Sequence, residues 1–229
     1  MTHCRFLNRK NVEFVFHLAA LSLYSRVWHW HTTPAALVLP GSTGFGWFFR
    51  YLTFWSYSLQ LLQFFLCVLA RLLPSAKGRY ATAVAADKLS CAVFGLANTV
   101  TAMFYAIEST GKGLLDAAHE GKPWWLGETV HLLNSIIAWV DLFLVEDRTF
   151  HGHSRHLVVI VAMSYCSWAL LLRYINGDFP YPVLNILPFP WGFLGFVLVG
   201  TSILLLLFEF GKFIKKSVCA LTPSPKKDE

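Results

Sequence analysis

Charged residues are scarce in this chain. Only 14% of its 229 residues are charged, whereas 55% are hydrophobic, and the mean hydropathy is +0.50. A soluble domain of this size could not remove so much apolar surface from water, so the composition is typical of an integral membrane protein. The lysines and arginines stand in short clusters without interleaved aromatic residues. We therefore expect the lipid bilayer as a partner and no nucleic acid.

Cysteine is also sparse, and internal repeats are missing. Five cysteines in 229 residues do not give the paired spacing of a disulfide-stabilised secreted domain. Cys67, Cys91 and Cys166 fall within apolar runs, where we interpret them as small hydrophobic residues. The lack of a strong inverted repeat with broken helices counts mildly against a secondary transporter.

Six apolar segments are long enough, or nearly so, to cross about 30 Å of hydrocarbon as helices. They predict an all-α fold, a bundle of six transmembrane helices, in a single domain that covers residues 1–214. Residues 215–229 are predicted to form a basic cytosolic tail. The six segments are approximately 13–31, 48–72, 83–108, 126–146, 157–175 and 190–214.

The distribution of lysine and arginine predicts the orientation of the bundle. These residues concentrate in the N-terminus, in the connections after the second and fourth segments, and in the tail, which share one side if there are six spans. Both termini are therefore expected to be cytosolic. Lys226 and Lys227, in the last four residues of the chain, match a dilysine retrieval signal that a coat complex would read. We expect residence in the endoplasmic reticulum, with the plasma membrane as the alternative.

Polar side chains recur every three or four residues in three of the predicted spans, which stacks them on one helical face. Hydrogen bonding between helices is a sufficient explanation for Ser56, Gln60, Gln63 and Ser135. The complete set is Thr53, Ser56, Gln60 and Gln63 in the second span, Asp87, Cys91, Asn98, Thr101, Tyr105 and Glu108 in the third, and Glu128, His131, Asn134, Ser135 and Asp141 in the fourth.

Thr53 and His131 favour a chemical interpretation. Each lies about six residues past the lumenal entry of its span, which is about 9 Å deep at 1.5 Å per residue. An imidazole and a hydroxyl inside a membrane are costly unless they are paired or used. A threonine hydroxyl is a weak nucleophile that needs a base, and histidine can take its proton and return it to a leaving alcohol.

Other polar residues would complete such a site if the three helices pack together. Glu108, Asn98 and Tyr105 are alternative residues for orienting the imidazole, and the sequence does not choose among them. Ser56, Gln60, Asn134 and Ser135 are candidates for the lining of a shallow pocket that opens toward the lumenal leaflet. We expect neither a metal nor a cofactor.

The same residues carry a family resemblance. Residues 47–54, WFFRYLTF, are similar to the aromatic-Leu-Thr-Phe motif of the family of androgen-induced and androgen-dependent TFPI-regulating proteins. His131 opens the fourth span at a position like that of the family's second essential residue. The sequence RTFHGH at 148–153 resembles the family's basic, histidine-containing cytosolic loop. Trp168, Gly177, Tyr181, Pro182 and Leu184 resemble the pattern that follows its fifth span.

This resemblance covers approximately residues 46–215 and implies a multipass threonine hydrolase of lipid esters. The implied substrates are branched esters, the fatty acid esters of hydroxy fatty acids, which are cleaved to a fatty acid and a hydroxy fatty acid. It further implies that Thr53 is the nucleophile and His131 the base. The paired histidines of the family appear here as His151 and His153, separated by Gly152, so no role is transferred to them.

Two other functions remain open from the residues. A non-catalytic lipid transporter or binding scaffold would also use polar faces, to line a path or to hold a headgroup. A metal or haem redox enzyme is suggested by His29 and His31 and by His151 and His153. The predicted topology places these two pairs on opposite sides of about 30 Å of hydrocarbon, so they could not share one site.

Overall fold

The computed structural model describes residues 8–111, 121–146 and 148–221. Within this part of the chain the fold is entirely helical and has no strand, as predicted. The predicted signal at Lys226 and Lys227 lies outside the described residues.

Six long helical segments form the bundle. Helices α1, α2 and α3 cover Arg9–Trp30, Leu52–Leu72 and Ala76–Glu108. Helix α4 consists of three consecutive stretches, Trp124–Glu128, Thr129–Leu133 and Asn134–Leu144, of which the middle one is a π-helical turn. Helices α5 and α6 cover Gly152–Asn176 and Trp191–Leu221. Shorter helical turns occur at Pro34–Leu37, Pro40–Ser42, Trp47–Arg50 and Pro182–Ile186.

Four of these helices are long and apolar enough to cross a membrane: α2, α3, α5 and α6. The chain is therefore a multipass membrane protein. Helix α1 carries Arg9, Lys10, Glu13 and Arg26, which lower its hydropathy, and α4 is interrupted by its π-helical turn.

Helix α3 lies at the centre of the bundle and packs against α2, α4, α5 and α6. Two glycines allow α3 and α6 to approach closely. A Cβ on Gly95 would lie 3.2 Å from the Leu204 carbonyl oxygen, and one on Gly211 would overlap the Phe94 ring. Phe94 and Phe208 lie at this contact in the larger apolar core, and a second core surrounds Tyr24, Tyr57 and Phe64 between α1 and α2.

A buried ionic cluster ties the other end of the bundle together. The Arg148 guanidinium donates two hydrogen bonds of 2.9 Å to the two carboxylate oxygens of Asp141 at the end of α4. The same carboxylate contacts His17 of α1 at 2.9 Å and accepts from Ser90 of α3 at 2.6 Å and from Gln63 of α2 at 3.2 Å. This cluster fixes four helices relative to one another, as buried charges require multiple partners.

The start of α2 differs from the sequence prediction. The second span was expected to begin at residue 48, but the chain forms a turn at Trp47–Arg50 and α2 begins at Leu52. Gly46 and Trp47 both have positive φ values, of 99° and 47°, and Tyr51 is extended. The backbone therefore changes direction there, and Thr53 lies in the first turn of the helix.

Candidate functional site

An apolar cavity of about 220 Å³ lies between α2, α3, α4, α5 and α6, at the end of the bundle where α2 begins. Most of its wall consists of leucine, valine, phenylalanine and alanine side chains, a composition typical of sites for apolar ligands. Polar side chains interrupt this wall at a limited set of positions. They are His31, Tyr51, Thr53, Tyr57, Thr99, Lys122, His131, Tyr165, Tyr181 and Thr201.

Thr53 is on this wall because α2 begins at the rim of the cavity. The hydroxyl of Tyr181 accepts the backbone N–H of Leu52 at 2.9 Å and also interacts with the Thr53 side chain. Tyr181 precedes the short helix Pro182–Ile186, so the connection between α5 and α6 helps to position the start of α2. The first turn of a helix carries the positive end of its dipole, which stabilises negative charge that develops on a nearby oxygen.

His131 is also on the wall, with a defined ring orientation. Its Nδ1 lies 3.0 Å from the Gly127 carbonyl oxygen, and its ring stacks on Phe104 with centroids 3.6 Å apart and planes 9° apart. A carbonyl oxygen can only accept, so Nδ1 carries the hydrogen and Nε2 carries the lone pair of the neutral ring. This is the tautomer in which Nε2 can act as a base.

The π-helical turn Thr129–Leu133 places His131 within reach of the cavity. Such turns widen the helix by one residue and occur frequently at functional sites. The Thr101 hydroxyl of α3 donates to the His131 carbonyl oxygen, and it also lies 3.2 Å from the Asn134 side-chain oxygen. The turn packs against both α2 and α3. Thr53 and His131 therefore lie on the wall of the same cavity.

The remaining predicted residues lie in contacts between helices and not on the cavity wall. Asn98 accepts hydrogen bonds from Ser135 at 2.6 Å and from Trp139 at 2.8 Å, which joins α3 to α4. Gln60 accepts from the Tyr24 hydroxyl at 2.7 Å, which joins α2 to α1, and donates to Ser56 at 3.4 Å.

Three further candidates lie close to the ends of α3 and α4. Asn134 bonds to Thr101, as described above. Tyr105 donates to Glu128 at 2.9 Å, and this contact is on the exposed side of the two helices. Glu108 is the last residue of α3 and is exposed. The polar faces of α2, α3 and α4 therefore act mainly as contacts between helices, and only Thr53 and His131 of the nine predicted site residues line the cavity.

Two ionisable groups share one part of the wall, outside the spans. His31 follows α1, and its Nδ1 bonds to the Val27 carbonyl oxygen at 2.8 Å. Burial, with Lys122 nearby, lowers the pKa of His31 to about 4, so its ring is neutral at pH 7. Burial also lowers the pKa of Lys122 to about 8, and its amine remains mostly protonated at that pH.

Several polar side chains on the wall were not among the predicted site residues, and Tyr57, Lys122 and Tyr181 show why. Tyr57 lies one turn after Thr53 on the same helical face, so the periodicity of α2 could have indicated it. Lys122 stands directly before Pro123 and α4, a position that only a cavity makes notable. Tyr181 is distant in sequence from Thr53, and no local signal connects the two.

Comparison with known proteins gives one match. The model of a family described as FAR-17a/AIG1-like protein matches residues 12–216. No curated protein and no solved structure matches the chain.

Proposed function

This chain belongs to the FAR-17a/AIG1-like family, and we propose that it is a membrane-embedded hydrolase of fatty acid esters of hydroxy fatty acids. The match confirms the family predicted from the sequence motifs. The observation that carries the proposal is that Thr53 and His131 line one apolar cavity. A hydroxyl and an imidazole on one wall are the groups that acyl transfer needs, and the apolar remainder suits acyl chains.

In the proposed reaction, Thr53 Oγ1 attacks the ester carbonyl carbon while His131 Nε2 takes the hydroxyl proton. The tetrahedral intermediate then breaks its bond to the hydroxy fatty acid, and the imidazolium gives the proton to the departing alcohol oxygen. Water attacks the resulting acyl-threonine in the second half, with His131 again as base. The fatty acid leaves, and the proton returns to Thr53.

Two features of the described residues support these roles. The Gly127 carbonyl and the Phe104 ring hold the imidazole in the tautomer that leaves Nε2 able to accept a proton. The start of α2 places Thr53 where the helix dipole stabilises the developing alkoxide.

We also propose six spans with both termini in the cytosol. Helix α1 runs antiparallel to α4 over its whole length, because Arg9 donates to the Leu144 carbonyl oxygen at 3.0 Å and the Trp30 ring contacts Trp125 at the other end. The 22 residues of α1 span about 33 Å at 1.5 Å per residue. Helices α1 and α4 thus extend across the same thickness as α2.

We propose residence in the endoplasmic reticulum, with a coat complex as the partner that reads Lys226 and Lys227. A cytosolic C-terminus is the topology that this signal requires. Replacement of both lysines by serine should move the full-length protein from the endoplasmic reticulum to later compartments, which fluorescence microscopy would detect. An unchanged distribution would contradict the signal.

The decisive test of the hydrolase is turnover of a branched fatty acid ester by purified protein in detergent. Thr53→Ala and His131→Ala should each lower kcat by roughly 100-fold or more, because each removes a group that the chemical step needs. Thr99→Ala is the matched control. The Thr99 hydroxyl is also on the cavity wall, but it donates a hydrogen bond to the Gly95 carbonyl oxygen at 2.8 Å. This variant should keep most of the activity.

Labelling with a fluorophosphonate separates the hydrolase from a lipid transporter or binding scaffold. The hydrolase should carry the phosphonyl group on Thr53, identified by peptide mass spectrometry, and His131→Ala should lose the label. Lipid binding without label and without ester cleavage would favour the scaffold. Full turnover by both Thr53→Ala and His131→Ala would refute the proposed mechanism.

A further inference from the structure

Lys122 is an unusual side chain for the wall of this cavity. Of the described residues that line the cavity, it is the one that is charged at neutral pH, and none is aspartate or glutamate. It lies between Gly121, which has a φ of 71°, and Pro123, which precedes α4. The backbone of this short turn directs the chain into α4 and holds Lys122 beside the cavity.

The Lys122 ammonium has no hydrogen bond or ion pair with any part of the chain that the structure describes. Lys122 lies near enough to His31 to affect its pKa, but an imidazole carries no negative charge that could compensate the ammonium. Burial of a cation is unfavourable unless a negative charge compensates it, and burial lowers the pKa of Lys122 to about 8. An anion bound in the cavity would supply such a charge, since none of the described lining residues is acidic.

We propose that Lys122 binds the free carboxylate of the lipid substrate and thereby selects esters of hydroxy acids over neutral esters. This inference rests on the proposed hydrolase function and names the part of the substrate that the cavity recognises. A fatty acid ester of a hydroxy fatty acid has one such carboxylate, on the hydroxy acid. An ordinary neutral ester has none.

The proposal also fixes the direction of the substrate. The ring of Phe54, which follows Thr53, lies 4.9 Å from the ring of His31, whose pKa is affected by the nearby Lys122. Leu52, which precedes Thr53, bonds to Tyr181 on the side formed by α5 and α6. Thr53 therefore lies between the two sides. With the carboxylate at Lys122, the acyl chain extends toward Phe193 and Phe196.

The test compares one substrate in two forms, the palmitate ester of a hydroxystearic acid and the methyl ester of that same compound. Wild-type protein should prefer the free acid. Lys122→Met should raise the KM for the free acid by roughly tenfold, about the strength of one charge-assisted hydrogen bond, and should leave the methyl form unchanged. Lys122→Arg should keep the preference, because it keeps the charge.

Lys77→Met is the matched control for net charge, because Lys77 is exposed in the first turn of α3 at the opposite end of α2. It should behave like wild type with both substrates. A Lys122→Met protein with the wild-type KM for the free acid would overturn the proposal. Equal losses with both forms would overturn it as well, since they would reveal a structural role.

The pH dependence gives a second readout. The ratio of kcat/KM for the free acid to that for the methyl form should fall as pH rises through about 8, since Lys122 loses its proton there. The ratio cancels the contribution of His131, which acts on both forms. Other titratable groups on the wall are His31, Tyr51, Tyr57, Tyr165, Cys166 and Tyr181. A ratio that stays constant from pH 7 to pH 9.5 would contradict the assignment.

Failure of this proposal can be distinguished from failure of the proposed function. If Thr53→Ala cleaves both forms at the wild-type rate, the hydrolase mechanism is wrong. If Thr53→Ala is inactive but Lys122→Met shows wild-type selectivity, only the carboxylate site is wrong. Inhibition by a long-chain fatty acid but not by the fatty alcohol of equal length should also require Lys122. Equal inhibition by both would count against it.

Discussion

Two stacked tyrosines between α1 and α2 differ in one hydrogen bond. The rings of Tyr24 and Tyr57 lie 4.1 Å apart, and both are buried. The Tyr24 hydroxyl donates to Gln60 at 2.7 Å, whereas the Tyr57 hydroxyl has no partner among the described residues. Tyr24→Phe should therefore destabilise the protein by about 1–3 kcal/mol, because it leaves the Gln60 oxygen unsatisfied. Tyr57→Phe should be neutral or stabilising.

Thermal unfolding in detergent, followed by tryptophan fluorescence, would measure both substitutions. The two variants are matched controls for each other, since each removes one phenol oxygen from the same stacked pair. A Tyr57→Phe protein that unfolds at lower temperature than Tyr24→Phe would show that the Tyr57 hydroxyl is satisfied in solution.

At the scale of single residues, the sequence indicated two of the polar residues that line the cavity, but not their surroundings. Thr53 and His131 were accessible to prediction because polar groups in apolar segments are costly and thus informative. Asn98 and Ser135 met the same criterion, yet they bond to each other across α3 and α4. Helical periodicity shows which residues share a face, but it does not show which neighbour covers that face.

At the scale of the helices, the connection after α4 is held by Arg148. This residue is 8% exposed, and Asp141 is 3% exposed. Arg148→Met should destabilise the protein by about 3–5 kcal/mol, because it leaves the Asp141 carboxylate buried without its cation. Adding Asp141→Leu should recover part of this loss, since the double variant has no unpaired charge at that site.

The same unfolding measurement would test this expectation, with Arg155→Met as the control. Arg155 lies 3.6 Å from Glu209, and both side chains are about half exposed, so this surface pair should contribute at most about 1 kcal/mol. An Arg148→Met protein as stable as Arg155→Met would mean that the Asp141 carboxylate does not depend on Arg148.

The lengths of the apolar segments predicted the six helices, but they did not predict the π-helical turn in α4 or the turn that precedes α2. The predicted segment 126–146 corresponds to α4, Trp124 to Leu144, within two residues at each end. The π-helical turn that carries His131 accepts a hydrogen bond from a neighbouring helix, donated by the Thr101 hydroxyl. A single sequence holds no local signal for such a turn. The turn before α2 is similar, because Trp47 adopts a positive φ that its residue type does not favour.

For the whole molecule, the predicted site required α2, α3 and α4 to pack together, and in the structure α3 contacts both of the other two helices. It gave no indication that α5 and α6 would complete the cavity. Contributions such as Phe193 and Phe196 come from a span whose sequence signal is apolar length. Polar residues in the spans therefore indicated two residues of the cavity wall, while the apolar spans that enclose the cavity are specified by packing.

The number of spans is open to a direct test on the whole molecule. If α1 and α4 both cross the membrane, the connection between α2 and α3 is cytosolic and the one between α5 and α6 is lumenal. If only α2, α3, α5 and α6 cross, the two connections share one side. The hydrogen bond from Leu52 to Tyr181 places the α5–α6 connection at the start of α2. The α2–α3 connection follows the other end of α2, about 30 Å away, which supports opposite sides of the membrane for the two connections.

The chain contains no Asn-Xaa-Ser/Thr acceptor, so an inserted one gives a clear readout. An Asn-Gly-Thr acceptor within a flexible Gly/Ser insert at Asp178 should be glycosylated, and the same insert at Pro74 should not. A mobility shift removed by endoglycosidase would measure both, in membranes prepared from expressing cells. Turnover of the branched ester would show that the inserts preserve the fold. With four spans, both inserts lie on the same side of the membrane, so either both or neither would be glycosylated. Equal glycosylation of the two inserts would therefore rule out six spans.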